Sequence, residues 1–194
     1  YRVTGLDFSG YKRGTIQRRM ARRMAVLGID SIEAYRDQVA EQNQEAEALY
    51  ADLLIHVTRF FREQETFEAL AETVLPRLLE ARHGERDPLR IWIAGCSTGE
   101  EVYSVAMVLM EELERRERDV PMQIFATDIS HRAIVQAREG RYPASISADV
   151  SAPRLRRFFN RTDDHYKINR EVRDRCVFAE HDLTRDPPYS RMDL

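Results

Sequence analysis

The sequence has 194 residues, 43% of them hydrophobic, which is enough for a packed core and excludes wholesale disorder. Its formal net charge of −3 gives no global pull toward nucleic acid or an anionic membrane. No apolar run nears the roughly 18 residues of a membrane span, and the first residues, YRVTGLDFSG, lack the apolar core of a signal peptide.

The two cysteines, Cys96 and Cys176, lie far apart and form neither a disulfide framework nor a Cys-x-x-Cys metal pair. The expectation is a reducing, cytoplasmic setting without a metal site. The length suits one ordinary domain, or a small helical domain joined to a second.

Residues 1–44 read as helical. Ile16, Met20, Met24 and Leu27 recur at helical spacing, with Arg18, Arg19 and Arg22 turned away from that face. Gly28 ends this helix, and Ser31 with Ala34, Tyr35 and Val39 starts another. The stretch KRGTIQRRMARR, residues 12–23, holds six basic side chains and no acid, whereas residues 41–52 carry Glu41, Glu45, Glu47 and Asp52. Residues 45–62 read as a polar helix running into IHVTRFFRE. Phe67, Leu70, Val74 and Leu78 then make an amphipathic helix that ends near HGERDP.

The texture changes at residue 89. Leu89–Ala94 is apolar without alternation, as a buried parallel strand is. After a glycine loop, Val102, Val105, Ala106, Leu109 and Leu113 form a helix face. Gln123–Ala126 reads as a second buried strand. Ser130 caps a helix carrying Ala133, Ile134 and Ala137, which ends at Gly140. This order predicts a parallel α/β sheet with right-handed crossovers. Residues 141–176 break the rhythm: Leu155, Phe158 and Phe159 suggest a short helix, and YKIN and EVRDRCVF suggest a small antiparallel excursion. VFAEHDL reads as a third strand of the main sheet.

The loop IWIAGCSTGEE, residues 91–101, admits two chemistries. Gly95-x-Ser97-x-Gly99 matches the nucleophile elbow of a serine hydrolase. That elbow follows several earlier strands, yet 89–94 is the first strand here, and Glu100 and Glu101 would oppose an oxyanion. The other reading is a cofactor cradle. Gly95 and Gly99 allow close backbone approach, and Asp128, at the end of the next strand, can accept both hydroxyls of a ribose. The loop lacks the fuller Gly-x-Gly-x-x-Gly, and its acids would repel phosphate. They suit a cationic nucleoside such as S-adenosylmethionine, although acids at a helix N-terminus also simply favour the helix.

Four stretches, GLDFSGYKRGTIQRRMARRM, IHVTRFFRE, IAGCSTGEEVYS and IFATDIS, together resemble the CheR family of chemotaxis-receptor glutamate O-methyltransferases over essentially the whole chain. The resemblance implies an N-terminal all-α domain, taken as residues 1–44. A Rossmann-like methyltransferase domain follows over 45–194, with a small antiparallel β insertion at 141–176. It implies methyl transfer from S-adenosylmethionine to glutamate side chains of chemoreceptors, with S-adenosylhomocysteine as product. By position, Thr58 and Arg62 would line the active site, with Arg62 nearest the reacting carboxylate. Glu101 would hold the methionine ammonium, Asp128 the ribose, and Asp182 with Leu183 would lie near the adenine. His56 and Asp182 stand where the family has asparagine, and Val102 replaces the proline of GEEPYS. Arg18, Arg19, Arg22 and Arg23 would dock the acidic methylation region of a receptor, with no direct membrane insertion.

Some members hold a receptor's C-terminal peptide on the insertion and carry glycines there. This chain has no glycine after Gly140, so a tethering peptide is not expected to be required. The family continues beyond the RMDL-like segment into a further strand and an Asn-x-x-x-Tyr loop. The 194 residues therefore read as the first part of such a domain, expected to be inactive alone and to leave the edge of the strand at 89–94 unpaired. The alternatives are a non-catalytic CheR-like module that binds the nucleoside and, more remotely, the Ser97 hydrolase.

Overall fold

A computed structural model of the chain describes residues 11–54, 58–81 and 87–194. They fall in two compact units, Tyr1–Ile55 and His56–Leu194.

The first unit is helical. Helix α1 spans Arg13–Leu27 and stops at Gly28, whose φ of 67° suits a residue without Cβ. Ser31 caps α2 (Ile32–Glu41) by accepting the Ala34 amide at 3.1 Å. Helix α3 (Asn43–Leu53) packs against both. The unit thus extends past residue 44, because α3 covers the faces that α1 and α2 turn inward. At its centre Glu45 is 5% exposed. It receives the Tyr35 hydroxyl at 2.7 Å and two Arg23 nitrogens at 3.0 and 2.6 Å. The single polar helix expected over 45–62 is corrected: the helix ends at Leu53, and Thr58 to Glu63 are not helical.

The second unit opens with α4 (Gln64–Ala69), a π-helical turn (Leu70–Val74) and α5 (Leu75–Glu80), which run on as one rod. Strand β1 (Leu89–Ala94) leads through the glycine loop into α6 (Glu100–Arg115), followed by β2 (Met122–Asp128) and α7 (His131–Glu139). The insertion holds β3 (Arg141–Pro143), a 3-10 turn (Ala144–Ala148), α8 (Ala152–Phe158), β4 (Phe159–Arg161), β5 (His165–Ile168) and α9 (Arg170–Arg173). Strand β6 (Cys176–Glu180) returns to the main sheet.

The main sheet is parallel in the order β1-β2-β6, with Ile91 opposite Ile124 and Ala126 opposite Phe178. Alternate residues Leu89, Ile91, Ile93, Ile124 and Ala126 are buried in one core with Val102, Ala106 and Leu109 of α6. Burial of such side chains contributes about 1.5–3 kcal/mol each and holds the loop between β1 and α6 in place.

The small sheet is antiparallel in the order β3-β5-β4. Two expectations change here. Phe159 starts β4 rather than ending the helix, and the EVR of EVRDRCVF is the helical turn α9, capped by Asn169, whose Oδ1 accepts the Val172 amide at 3.1 Å. Charge alternation imitated a strand where a cap and one turn suffice. The outer edge of β1 is also not wholly unpaired: the Asp193 amide donates to Arg90 O at 2.7 Å, and the Trp92 amide donates to Leu194 O at 2.9 Å.

Candidate active site

The segment Thr58-Arg59-Phe60-Phe61-Arg62 is irregular and pinned from several sides. Phe60 is 1% exposed and meets Tyr142 and Phe159 edge-on, with ring centroids 4.8 and 5.6 Å away. Phe61 has φ of 50°, a left-handed conformation that costs a bulky residue about 1–2 kcal/mol. Its amide donates to Ser104 Oγ at 3.1 Å, and that hydroxyl donates to Glu100 O at 2.7 Å. Nothing in the sequence pattern signals this backbone turn.

Arg62 lines a cavity of about 500 Å3 together with Thr58, Phe67, Gly95, Cys96 and Glu101. The structure therefore brings Thr58, Arg62, Gly95 and Glu101 to one space, although they come from two separate segments of sequence. His56 lies outside the described residues. Gly95 has φ of 73°, and a Cβ built on it meets nothing within 4 Å, so its backbone is open to close approach. Gly99 differs. Its φ is 93°, and a Cβ would stand 3.0 Å from Ala137 Cβ and 3.1 Å from the Tyr142 hydroxyl. The smallness of Gly99 serves the packing of α6 against α7 and the insertion rather than a ligand surface.

The two acids after the loop part ways. Glu100 Oε2 accepts the Thr98 hydroxyl at 2.6 Å, and Glu101 is exposed on the cavity wall. Burial first, then the Asp128 charge, push the Cys96 thiol up to about 12, so it stays a neutral packed group.

Asp128, at the C-terminal end of β2, is half-buried, with one oxygen accepting the Ser97 amide and the other the Ser130 amide, each at 2.8 Å. Ser97 is itself left-handed, with φ of 49°. The carboxylate at the strand end thus fixes the shape of the glycine loop, and each oxygen keeps a second lone pair for a hydroxyl.

Asp182 and Leu183 follow β6 and lie outside the cavity lining. Asp182 Oδ1 accepts the Thr184 amide at 2.9 Å and its hydroxyl at 2.6 Å, and these bonds hold its carboxyl below the usual range. Leu183 is 57% exposed. In the helical unit Arg18 and Arg22 are exposed, Arg19 is half-buried, and Arg23 is engaged with Glu45. Arg23 is therefore a structural residue, which the run of arginines in the sequence did not reveal.

Comparison with known proteins follows this division of the chain. Residues 56–194 match the family model described as the CheR methyltransferase, SAM binding domain, and residues 1–54 match that of the CheR methyltransferase, all-alpha domain. The "Chemotaxis protein methyltransferase 2" of Pseudomonas aeruginosa is 35% identical over 83% of this chain and 55% of its own length. The "Chemotaxis protein methyltransferase" of Borreliella burgdorferi is 30% identical over 98% of this chain and 69% of its own length. A Rhodobacter capsulatus relative, "Uncharacterized 104.1 kDa protein in hypE 3'region", is 40% identical over 97% of this chain, which spans 20% of that relative.

The family model thus brings S-adenosylmethionine as cofactor, and the residues fit it. The cavity wall offers an acid and an open glycine backbone, and the strand end offers a carboxylate with free lone pairs. That donor set suits an ammonium group and ribose hydroxyls. An N-terminal helical unit, a parallel α/β domain with this cradle and both family matches lead to one assignment: the chain belongs to the CheR methyltransferase family.

Proposed function

We propose that the protein transfers a methyl group to glutamate side chains of chemoreceptors, forming glutamyl methyl esters. The observation that carries this reading is the meeting of Arg62, Thr58, Gly95 and Glu101 at one cavity.

S-adenosylmethionine, when bound, supplies a methyl group on a sulfonium, already activated for displacement. The chain's task is then positional. A glutamate is ionised near pH 7 and needs no general base. Arg62 presents a planar, permanently charged fork that can orient the incoming carboxylate bidentately and takes no part in proton transfer. Glu101 would hold the ammonium and Asp128 the ribose, with Asp182 and Leu183 near the adenine. Thr58 would lie beside Arg62. Excluding water and aligning the reactants supplies the rest of the acceleration.

In the helical unit, the exposed Arg18 and Arg22 with Arg19 would meet the acidic methylation region of a receptor, raising the encounter rate more than the final affinity. No helix among the described residues is long and apolar enough to cross a membrane. The insertion carries no glycine, and we infer that no tethering peptide is needed.

The test is transfer of isotope-labelled methyl from S-adenosylmethionine to receptor-containing membranes, with base-labile release of methanol as the mark of an ester. Labelled, base-labile receptor is the expected product. Nucleoside binding without transfer by the full-length polypeptide would favour a non-catalytic module.

A further inference from the structure

The insertion touches the loop that carries Arg62, and its contacts converge on the backbone around Phe61. The Arg154 guanidinium, just inside α8, lies over the Phe61 ring, 4.2 Å from its centroid. Arg154 is itself held by Glu111 of α6 through three contacts of 2.7–3.2 Å. Asp149, at the end of the 3-10 turn, pairs with Arg59 at 3.6 Å, and the other Arg59 terminal nitrogen donates to Arg62 O at 3.2 Å.

We propose that Asp149 and Arg154 are positioning residues for Arg62. Phe61 sits in a backbone region that side chains disfavour, and it returns to an ordinary φ unless its surroundings hold it. Ser104 holds its amide and Arg154 holds its ring. Asp149, through Arg59, holds the carbonyl of the next residue. A change of φ at Phe61 swings the chain that follows and redirects Arg62 away from the cavity. In the Asp149–Arg59 pair the arginine is exposed and the atoms stand 3.6 Å apart, so it contributes little by attraction alone. Its effect is geometric, because it fixes the arginine that caps the Arg62 carbonyl. Stacking of Arg154 on Phe61 is the stronger clamp, because Glu111 braces the guanidinium through three contacts. The insertion thereby shapes the active-site loop as well as bordering it.

This inference rests on Arg62 serving methyl transfer, so its test has one arm that does not. In the full-length polypeptide, Arg154→Ala and Asp149→Ala should speed exchange of the Phe61 amide, read by NMR, while exchange in β1 and β2 stays as in the wild type. In methyl transfer to receptor membranes, Arg154→Ala should lower kcat about 10- to 100-fold, the scale of a misplacement of about 1 Å. Affinity for S-adenosylhomocysteine should hold, and Arg154→Lys should restore only part of the rate. Arg62→Ala combined with Arg154→Ala should be no slower than Arg62→Ala alone, because Arg154 acts through Arg62. Unchanged exchange at Phe61, or losses that multiply in the double variant, would overturn the proposal. Faster exchange at Phe61 in a protein that transfers no methyl group would leave the clamp standing and refute the methyl-transfer reading instead.

Discussion

The Asp128 carboxylate accepts the Ser97 amide at 2.8 Å, tying the end of β2 to the middle of the glycine loop after β1. One acid therefore shapes the cradle and offers lone pairs to whatever lies in it. Asp128→Ala should weaken binding of S-adenosylhomocysteine by about 1–3 kcal/mol, the usual cost of leaving buried polar groups unpaired. Calorimetry on the full-length protein checks this. Equal affinity in the variant would remove Asp128 from the cofactor site.

The two glycines of the loop should respond differently to a methyl group. Gly99→Ala combines an unfavourable φ with a contact of 3.0 Å against Ala137 and should cost about 2–4 kcal/mol of stability. Gly95→Ala meets open space and should cost about 1–2 kcal/mol, from backbone strain alone. It should weaken cofactor binding more than Gly99→Ala does once both are measured below their melting transitions. Thermal melts with parallel ligand titrations decide the order, and equal melting losses would contradict the packing assigned to Gly99.

Much of this was legible in the sequence because the period of apolar residues mirrors burial. Leu89–Ala94 read as a strand and is the first parallel strand with the same bounds, although only its alternate residues Leu89, Ile91 and Ile93 are buried. Ser130 and Gly140 marked the ends of α7 by cap chemistry that is local in sequence. Thr58, Arg62, Gly95 and Glu101, named from the motifs that carry them, line one cavity. What stayed hidden depends on neighbours distant in sequence. Arg23 stood in a run of similar arginines, and only the fold shows that it faces Glu45. The left-handed turn at Phe61 arises from Ser104 and Arg154, many residues away. The π turn at Leu70–Val74 interrupts a stretch whose apolar spacing still fits an ordinary helix.

The Arg23–Glu45–Tyr35 group makes the helical unit sensitive to acid. Arg23 first, then Tyr35, lower the Glu45 carboxyl from its ordinary 4.5. The stabilisation is present in full above that value and is lost as pH falls through the lower folded value. Glu45→Gln should flatten this pH dependence. Glu45→Ala should destabilise the unit by about 3–5 kcal/mol, because it leaves Arg23 without its buried partner. Native-state amide exchange in α1 and α3 reports both. A wild-type profile that stays flat from neutral pH down through the acid limb would count against it.

The insertion predicts independence from a tether. Its hairpin between β4 and β5 is closed by Thr162, whose amide and hydroxyl both donate to His165 O, at 2.9 and 3.0 Å, with no glycine to admit a close-lying strand. A receptor truncated at its C-terminal tail should be methylated at the same rate as the intact receptor. A large loss on truncation would show that the edge of this small sheet takes a peptide after all.

Whether Arg62 orients the reacting carboxylate is decided by comparing wild type with Arg62→Ala and Arg62→Lys. Methyl transfer to receptor membranes is measured beside affinity for S-adenosylhomocysteine. Arg62→Ala should lose transfer by about 100-fold or more with little change in cofactor affinity, and lysine, which lacks the planar fork, should rescue it poorly. Undiminished transfer by Arg62→Ala, or a loss that merely follows weakened cofactor binding, would contradict that role.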